Sequence, residues 1–230
     1  MRADEPVQVL GDGPRFVSRA GEKLAAAVER FGLAPRIAGA RALDAGASTG
    51  GFTDCLLQNG AAHVTAVDVG YGQLHERVAT DPRVEVRDRT NVRELHPGDL
   101  GDPVDVVVAD LSFISLRTVL PALLGLARPG ATMVLLVKPQ FEARRHEAAR
   151  GQGVIRDPAV WRQVLADTRD ALGHHGAAIM GAMVSPLHGA DGNVEFLLHV
   201  RAPDPAAAPA DGHDNGHGLD VERLVAEAGA

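Results

Sequence analysis

The stretch Leu43–Phe52, LDAGASTGGF, decides the fold. A short apolar strand, Arg41–Asp44, runs into it. A helix, Gly51–Gln58, leaves it and is stopped by Asn59-Gly60. A glycine loop between a strand end and a helix start is where an open α/β sheet seats a nucleotide-like ligand. Gly46 and Gly50 permit close backbone approach and unusual dihedrals. The helix start adds free N–H groups. The loop lacks the Lys-Ser/Thr ending of a phosphate-binding P-loop, and a GxGxxG pattern fails too. Candidate ligand contacts are therefore Asp44, Gly46, Ala47, Ser48, Thr49, Gly50, Gly51 and Phe52.

The neighbouring strands narrow the ligand. Asp44 is an awkward partner for a pyrophosphate but suits a cation, such as the amino group of S-adenosyl-L-methionine (SAM). A turn-capping role is the plain alternative. The next strand, His63–Asp68, ends in Asp68 and Val69, where a carboxylate accepts from ribose hydroxyls. Val84–Arg87 is a third strand, and Asp88, Arg89, Thr90 and Asn91 behind it are candidates for the adenine end. A polar surface turn is the alternative there.

Further outward, strands and helices keep alternating. Val104–Ala109 (VDVVVA) and Ala131–Val137 (ATMVLLV) are continuous apolar strands, separated by a helix Leu116–Ala127 and the turn Arg128-Pro129-Gly130. A helix Pro158–Leu172 has Asp157 as N-cap and Pro158 at its first position. Strands Ala177–Val184 and Val194–Val200 close the pattern as an edge hairpin. At the front, Val7–Leu10 is a short strand, and Ser18–Phe31 is a helix with Ser18 and Gly32 as caps. Continuous apolar strands separated by helices predict a mostly parallel sheet covered on both faces. The fold class is α/β, Rossmann-like. Residues 1–15 are predicted as a flexible leader, 16–201 as one SAM-dependent methyltransferase domain, and 202–230 as a disordered acidic tail. Within that tail, Leu219–Glu227 has the makings of a short helix.

Composition excludes several classes. No apolar run spans a bilayer, and the N-terminus lacks a signal-peptide pattern, so the expectation is a cytoplasmic protein with no membrane partner. The single cysteine, Cys55, rules out an internal disulfide and reads as a small core residue. The ten histidines show neither HExxH nor Cys/His ligand spacing, so no metal is expected. Net charge is −7. The last 30 residues carry two Arg against six Asp/Glu, a net of −4, which leaves −3 for the first 200. A nucleic-acid binder usually shows a basic footprint, so one here has to be local. Arg144, Arg145, Arg150 and Arg156 in the loop after Lys138, with Arg15 and Arg19, are the candidates.

Four charged residues sit where elements converge. Asp110 follows VDVVVA, Lys138 follows ATMVLLV, Lys23 lies on the first helix within SRAGEKL, and Glu195 opens the last strand within GNVEFLL. Pro139 fixes the chain behind Lys138. A ribose 2′-hydroxyl is a poor nucleophile until its proton leaves, so an enzyme must align the reactants and assist that loss. Lys138 is the candidate base, with Lys23, Asp110 and Glu195 supporting it.

Seven ordered blocks carry a family resemblance: SRAGEKL, LDAGASTGGFTDCLL, VDVGYGQL, RTNVREL, VVADLSFISL, LVKPQFE and GNVEFLL. Together they resemble the TlyA/hemolysin A family of ribosomal RNA methyltransferases, relatives of the FtsJ (RrmJ) 2′-O-methyltransferases, over roughly Phe16 to Val200. The resemblance implies a class I SAM-dependent methyltransferase with a seven-stranded sheet. It implies a Lys-Asp-Lys-Glu tetrad, falling on Lys23, Asp110, Lys138 and Glu195, and cytidine 2′-hydroxyls in rRNA of both ribosomal subunits as acceptors. Family members usually begin with a small basic S4 RNA-binding domain, and the expectation is that this chain lacks it. A second reading therefore keeps the fold and recruits it to a small-molecule substrate in secondary metabolism, methylating it or using SAM as scaffold. A third keeps only a SAM-binding pocket.

Overall fold

The computed structural model describes residues 13–143, 153–206 and 218–229. Its seven strands are β1 (Arg41–Ala45), β2 (His63–Val67), β3 (Val84–Arg87), β4 (Val104–Ala109), β5 (Ala127–Val137), β6 (Ala178–Val184) and β7 (Phe196–Arg201). They form one sheet in the order β3-β2-β1-β4-β5-β7-β6. β1, β2, β3, β4 and β5 pair in parallel, and β7 alone runs against both its neighbours.

Alternate residues of the central strands feed two cores. On one face Val106, Val108, Val134, Leu136 and Leu197 meet helices α1 (Ala20–Phe31) and α3 (Gly51–Gln58) through Leu24, Phe52, Cys55 and Leu56. On the other, Val107, Met133, Leu135 and Leu198 meet α5 (Leu116–Leu126) and α7 (Pro158–His174) through Leu120, Leu123 and Leu165. Burial on both faces is why these strands are apolar throughout rather than alternating.

The expected helix Gly51–Gln58 and strands Val84–Arg87 and Val104–Ala109 have the expected bounds. Elsewhere local packing moves the limits. α1 begins at Ala20 rather than Ser18, because Phe16 folds its ring against Gly21, and Ser18 caps nothing. Arg128-Pro129-Gly130 is no turn between elements. β5 starts at Ala127, and a register shift opposite Val104 to Val106 absorbs these residues into the strand. Short helices α2 (Ala34–Ile37) and α6 (Pro139–Glu142) and a 3₁₀ turn at Val92–Glu94 are too brief to leave a period in sequence, whereas α4 (Glu76–Ala79) forms within the short helix that the sequence predicts at Gln73–Thr80.

The acidic tail needs correcting at its end. Residues 207–217, the strand expected at Val7–Leu10 and most of the leader lie outside the described residues. Helix α8 (Val221–Ala228), by contrast, is part of the fold. Leu224 and Val225 are buried in the second core, Arg162 pairs with Glu222 at 2.9 Å, and the Arg223 guanidinium donates to the Ala182 carbonyl at 3.2 Å. Gly218 lies so close to the Ile179 carbonyl that a side chain has no room. Two apolar residues on one helical face suffice to dock it, a signal diluted by the surrounding Ala, Pro, Gly and Asp. Leu224→Ala is expected to cost about 2–5 kcal/mol of unfolding free energy by urea titration. A change within error would place this helix outside the cooperative unit.

Candidate active site

The carboxyl ends of β1, β2, β4 and β5 lie side by side, the edge at which such sheets bind ligands. The glycine loop is folded onto that edge. Gly46 and Ala47 donate to the Val67 carbonyl at 2.9 and 3.1 Å, tying the end of β1 to the end of β2. Gly46 has φ +88°, and a Cβ there would strike the Asp110 carbonyl. Gly50 has φ +94° and opens α3. A Cβ at Gly51 would strike Ser18 Oγ, so this glycine lets the chain entering α1 press on the start of α3.

A cavity of about 410 Å³ opens on this edge. Of the predicted cofactor contacts it brings together Gly46, Ser48, Asp68, Val69, Thr90, Asn91 and Asp110. Asp68 is already fixed: Oδ2 accepts from the Ser48 N–H at 2.8 Å and Oδ1 from the Gly70 N–H at 2.7 Å. A smaller adjoining cavity of about 170 Å³ takes Ala47, Thr49 and Phe52. Gly50 and Gly51 shape the loop from behind. Asp88 and Arg89 turn elsewhere: Asp88 Oδ2 accepts from the Gly72 N–H at 2.9 Å, and the Arg89 guanidinium lies 4.3 Å over the Tyr71 ring. Gln73, Leu111 and Ile114 line the larger cavity without having been expected there.

Asp44 is fully buried behind the loop. Its Oδ2 accepts from Thr53 Oγ1 at 2.6 Å, and its Oδ1 has no partner among the described residues. Burial pushes its carboxyl up to about 7, against the pull of the Thr53 hydroxyl and with further push from Asp110 and Asp68. Three carboxylates thus cluster towards the ends of β1, β2 and β4: Asp68 and Asp110 line the cavity, and Asp44 is an orphaned buried acceptor behind its loop. That donor set fits a ligand carrying positive charge.

The four residues of the predicted tetrad meet in a third cavity of about 400 Å³. They form two ion pairs. Lys138 Nζ lies 2.5 Å from Asp110 Oδ1, and Lys23 Nζ lies 2.5 Å from Glu195 Oε2. Lys23 is 5% exposed and Lys138 9%. These are the only two lysines of the chain; every other permanent side-chain cation is an arginine. Lys138 Nζ also donates to Ser112 Oγ at 3.0 Å, a partner the sequence reading missed although it lies two residues beyond Asp110. Asp110 and Ser112 border all three cavities, so Lys138 sits where the cofactor-sized space opens into the next.

The mouth has its own character. Phe113 holds φ +64°, is 91% exposed, and sets its ring 5.1 Å from that of Phe141. Ser18 Oγ and Gln140 Oε1 are buried without a partner among the described residues, and both residues line the tetrad cavity. Arg19 borders that cavity, and Arg156 is exposed. Arg15 stacks on Phe16 at 4.6 Å. Arg144, Arg145 and Arg150 lie outside the described residues. Among the described residues no cluster of His, Cys, Asp and Glu is arranged to hold a metal, and no helix is long and apolar enough to cross a membrane.

Comparison with known proteins agrees with this geometry. The FtsJ-like methyltransferase model matches residues 16–202. The Mycobacterium tuberculosis 16S/23S rRNA (cytidine-2′-O)-methyltransferase TlyA is 51% identical over 95% of this chain and 80% of its own length. Hemolysin A of Brachyspira hyodysenteriae is 39% identical over 80% of this chain and 76% of its own. A solved structure from Streptococcus thermophilus, which carries a hemolysin label, matches with TM-score 0.85 at 38% identity, covering 95% of this chain and 76% of that one.

The state of Asp44 gives the site a pH signature. Between the ordinary carboxyl range and about 7 the unfolded chain loses this proton and the folded chain keeps it. Stability contributed at this position therefore falls as pH rises through that window. Asp44→Asn removes the effect. Its melting temperature is expected to gain on the wild type from pH 4 to pH 7 and to hold that gain above. A constant difference across the range would show that Asp44 ionises freely in the fold.

Proposed function

The chain belongs to the FtsJ-like methyltransferase family, and from that premise we propose that it transfers a methyl group from SAM to a ribose 2′-hydroxyl of ribosomal RNA, with Lys138 as general base. The enzyme is a SAM-dependent methyltransferase, and its TlyA relatives are named for cytidine 2′-O-methylation of rRNA. The observation that carries the finer reading is that the chain's only two lysines are buried in the tetrad cavity, which shares Asp110, Ser112 and Phe113 with the cofactor-sized one.

When bound, SAM supplies an activated methyl group for in-line transfer. The residues named above would hold it: Asp68 at the ribose, Thr90 and Asn91 towards the adenine, and Asp44 behind the loop as a compensating negative charge. Lys138 must give up its own proton before it can take one from the acceptor hydroxyl. An arginine in that place stays charged and cannot do so. Asp110 and Glu195 hold the two amines in place. Ser18 Oγ and Gln140 Oε1 are unsatisfied groups that a ribose or base can satisfy. The Phe113–Phe141 pair offers a flat apolar ledge, and Arg19 a cation for a phosphate. Ribosomal RNA places the reaction in the cytoplasm.

The net charge of −7 favours the second reading, in which a small molecule is the acceptor. One assay separates the two. With labelled SAM, ribosomal subunits or naked rRNA are expected to become labelled at ribose, and Lys138→Ala to lose on the order of 10²–10⁴ in turnover. Cofactor affinity in that variant is expected to persist, and Lys138→Arg to rescue nothing. Binding to RNA should weaken steeply with salt. Near-full turnover by Lys138→Ala would remove the base from its role. A cofactor-bound enzyme that leaves RNA unlabelled would move the acceptor to the small-molecule class.

A further inference from the structure

A second buried carboxylate stands close to Lys138 but takes no part in the chemistry described above. Glu142 ends α6, four residues after Lys138, and is 6% exposed. Its Oε2 accepts from Ser115 Oγ at 2.6 Å, and its Oε1 from the Leu116 N–H at 2.5 Å. Ser115 and Leu116 are the N-cap and first residue of α5, so the carboxylate meets the positive end of that helix. Arg117 adds a guanidinium 3.4 Å from Oε2 and donates to the Glu142 carbonyl at 3.0 Å.

The two segments joined here are the ones that carry the site. Residues 110–114 run from Asp110 through Ser112 and Phe113 directly into the α5 N-terminus. Residues 138–142 run from Lys138 through Gln140 and Phe141 to Glu142, and the Phe141 and Glu142 N–H groups both donate back to the Lys138 carbonyl. Three contacts of the site cross between these segments: the Lys138–Asp110 pair, the Lys138–Ser112 hydrogen bond and the Phe113–Phe141 stack. Phe113 sits in a left-handed conformation that an L residue adopts only when its surroundings impose it.

We propose that Glu142 is a positioning residue for methyl transfer: by clamping the start of α5 to the turn after Lys138, it fixes the Lys138–Asp110–Ser112 arrangement at the cofactor cavity. This rests on the assignment of Lys138 as base. Lys23 provides an internal reference, because its partner Glu195 enters from β7 and the clamp does not touch it.

The chain's small lysine count makes the test direct. Amine labelling of the full-length protein, read by mass spectrometry, reports on Lys23, Lys138 and the N-terminus alone. Glu142→Ala is expected to raise the Lys138-to-Lys23 labelling ratio several-fold, and Ser115→Ala to raise it less. On RNA, Glu142→Ala is expected to lower kcat by about 10- to 100-fold, the order of loss that small misplacements cause. Cofactor affinity is expected to fall less than kcat, since the loops after β1 and β2 hold one side of that cavity while residues 110–114 hold the other. Glu142→Gln keeps an acceptor for Leu116 and is expected to recover most of the turnover and the ratio. An unchanged ratio in folded Glu142→Ala and in Ser115→Ala, with kcat falling in Glu142→Ala only as its folded fraction falls, would overturn the proposal. Should the wild type leave RNA unlabelled, the functional reading fails by itself, and the labelling ratio alone then decides whether the clamp exists.

Discussion

An ammonium group taken out of water costs several kcal/mol unless a carboxylate lies against it. Two such groups are buried here, and the architecture around them follows from supplying their partners. Lys138 leaves the end of β5, and its neighbour in the parallel sheet, β4, delivers Asp110 one residue past its own end. The antiparallel register of β5 and β7 pairs Val137 with Phe196, which puts Glu195 level with Lys138 at the same edge. α1 brings Lys23 down onto that edge only because Gly51 lets α1 and α3 approach closely. A β7 at the outer edge of the sheet, rather than between β5 and β6, would carry Glu195 away from both lysines.

The cofactor side shows the opposite imbalance. Asp68 and Asp110 line one cavity, and Asp44, buried behind the glycine loop, is left with an oxygen that nothing among the described residues satisfies. Burial of an ionisable group this way lowers stability at neutral pH. A sequence selected for stability alone would place an asparagine or an apolar residue there. The cost is understandable if a cationic ligand occupies the neighbouring cavity for much of the protein's working life, since that ligand stabilises the charged form. The two halves of the site are then complementary: surplus acid where the cofactor lies, and two tightly paired amines where the acceptor enters.

Much of this was legible in sequence for a simple reason. Strand ends in an open α/β sheet converge, so a charged residue directly behind an apolar run is already placed in space. Asp44, Asp68, Asp110 and Lys138 all follow that rule. What escaped depends on contacts between distant segments or on turns too short to show a period. The Lys23–Glu195 pair spans 172 positions, and sequence brought both residues to the site without showing that they pair with each other. Glu142 reads as an ordinary surface charge until α5 is seen to start on it. Asp88 and Arg89 sit behind a strand as expected, yet their side chains answer to Gly72 and Tyr71 rather than to the cavity. Position behind a strand fixes the backbone, not the direction of the side chain.

The division of labour between the two basic residue types extends this logic. Arg77, Arg83, Arg87, Arg128 and Arg162 all make ion pairs with half-exposed guanidinium groups, where a permanent, forked charge is useful. Lysine occurs at only two positions, both buried and each paired with a carboxylate. Arginine can meet phosphate without any change in its own state, so a modest number of arginines around the mouth serves a nucleic acid even in a chain of net negative charge. The acidic surplus, more than half of it in the last 30 residues, need not reach them: α8, which ends that segment, packs on α7 and the edge strand β6. On the proposed function the acceptor then meets a local field at one sheet edge, with arginines on the rim and two carboxylate-paired lysines within.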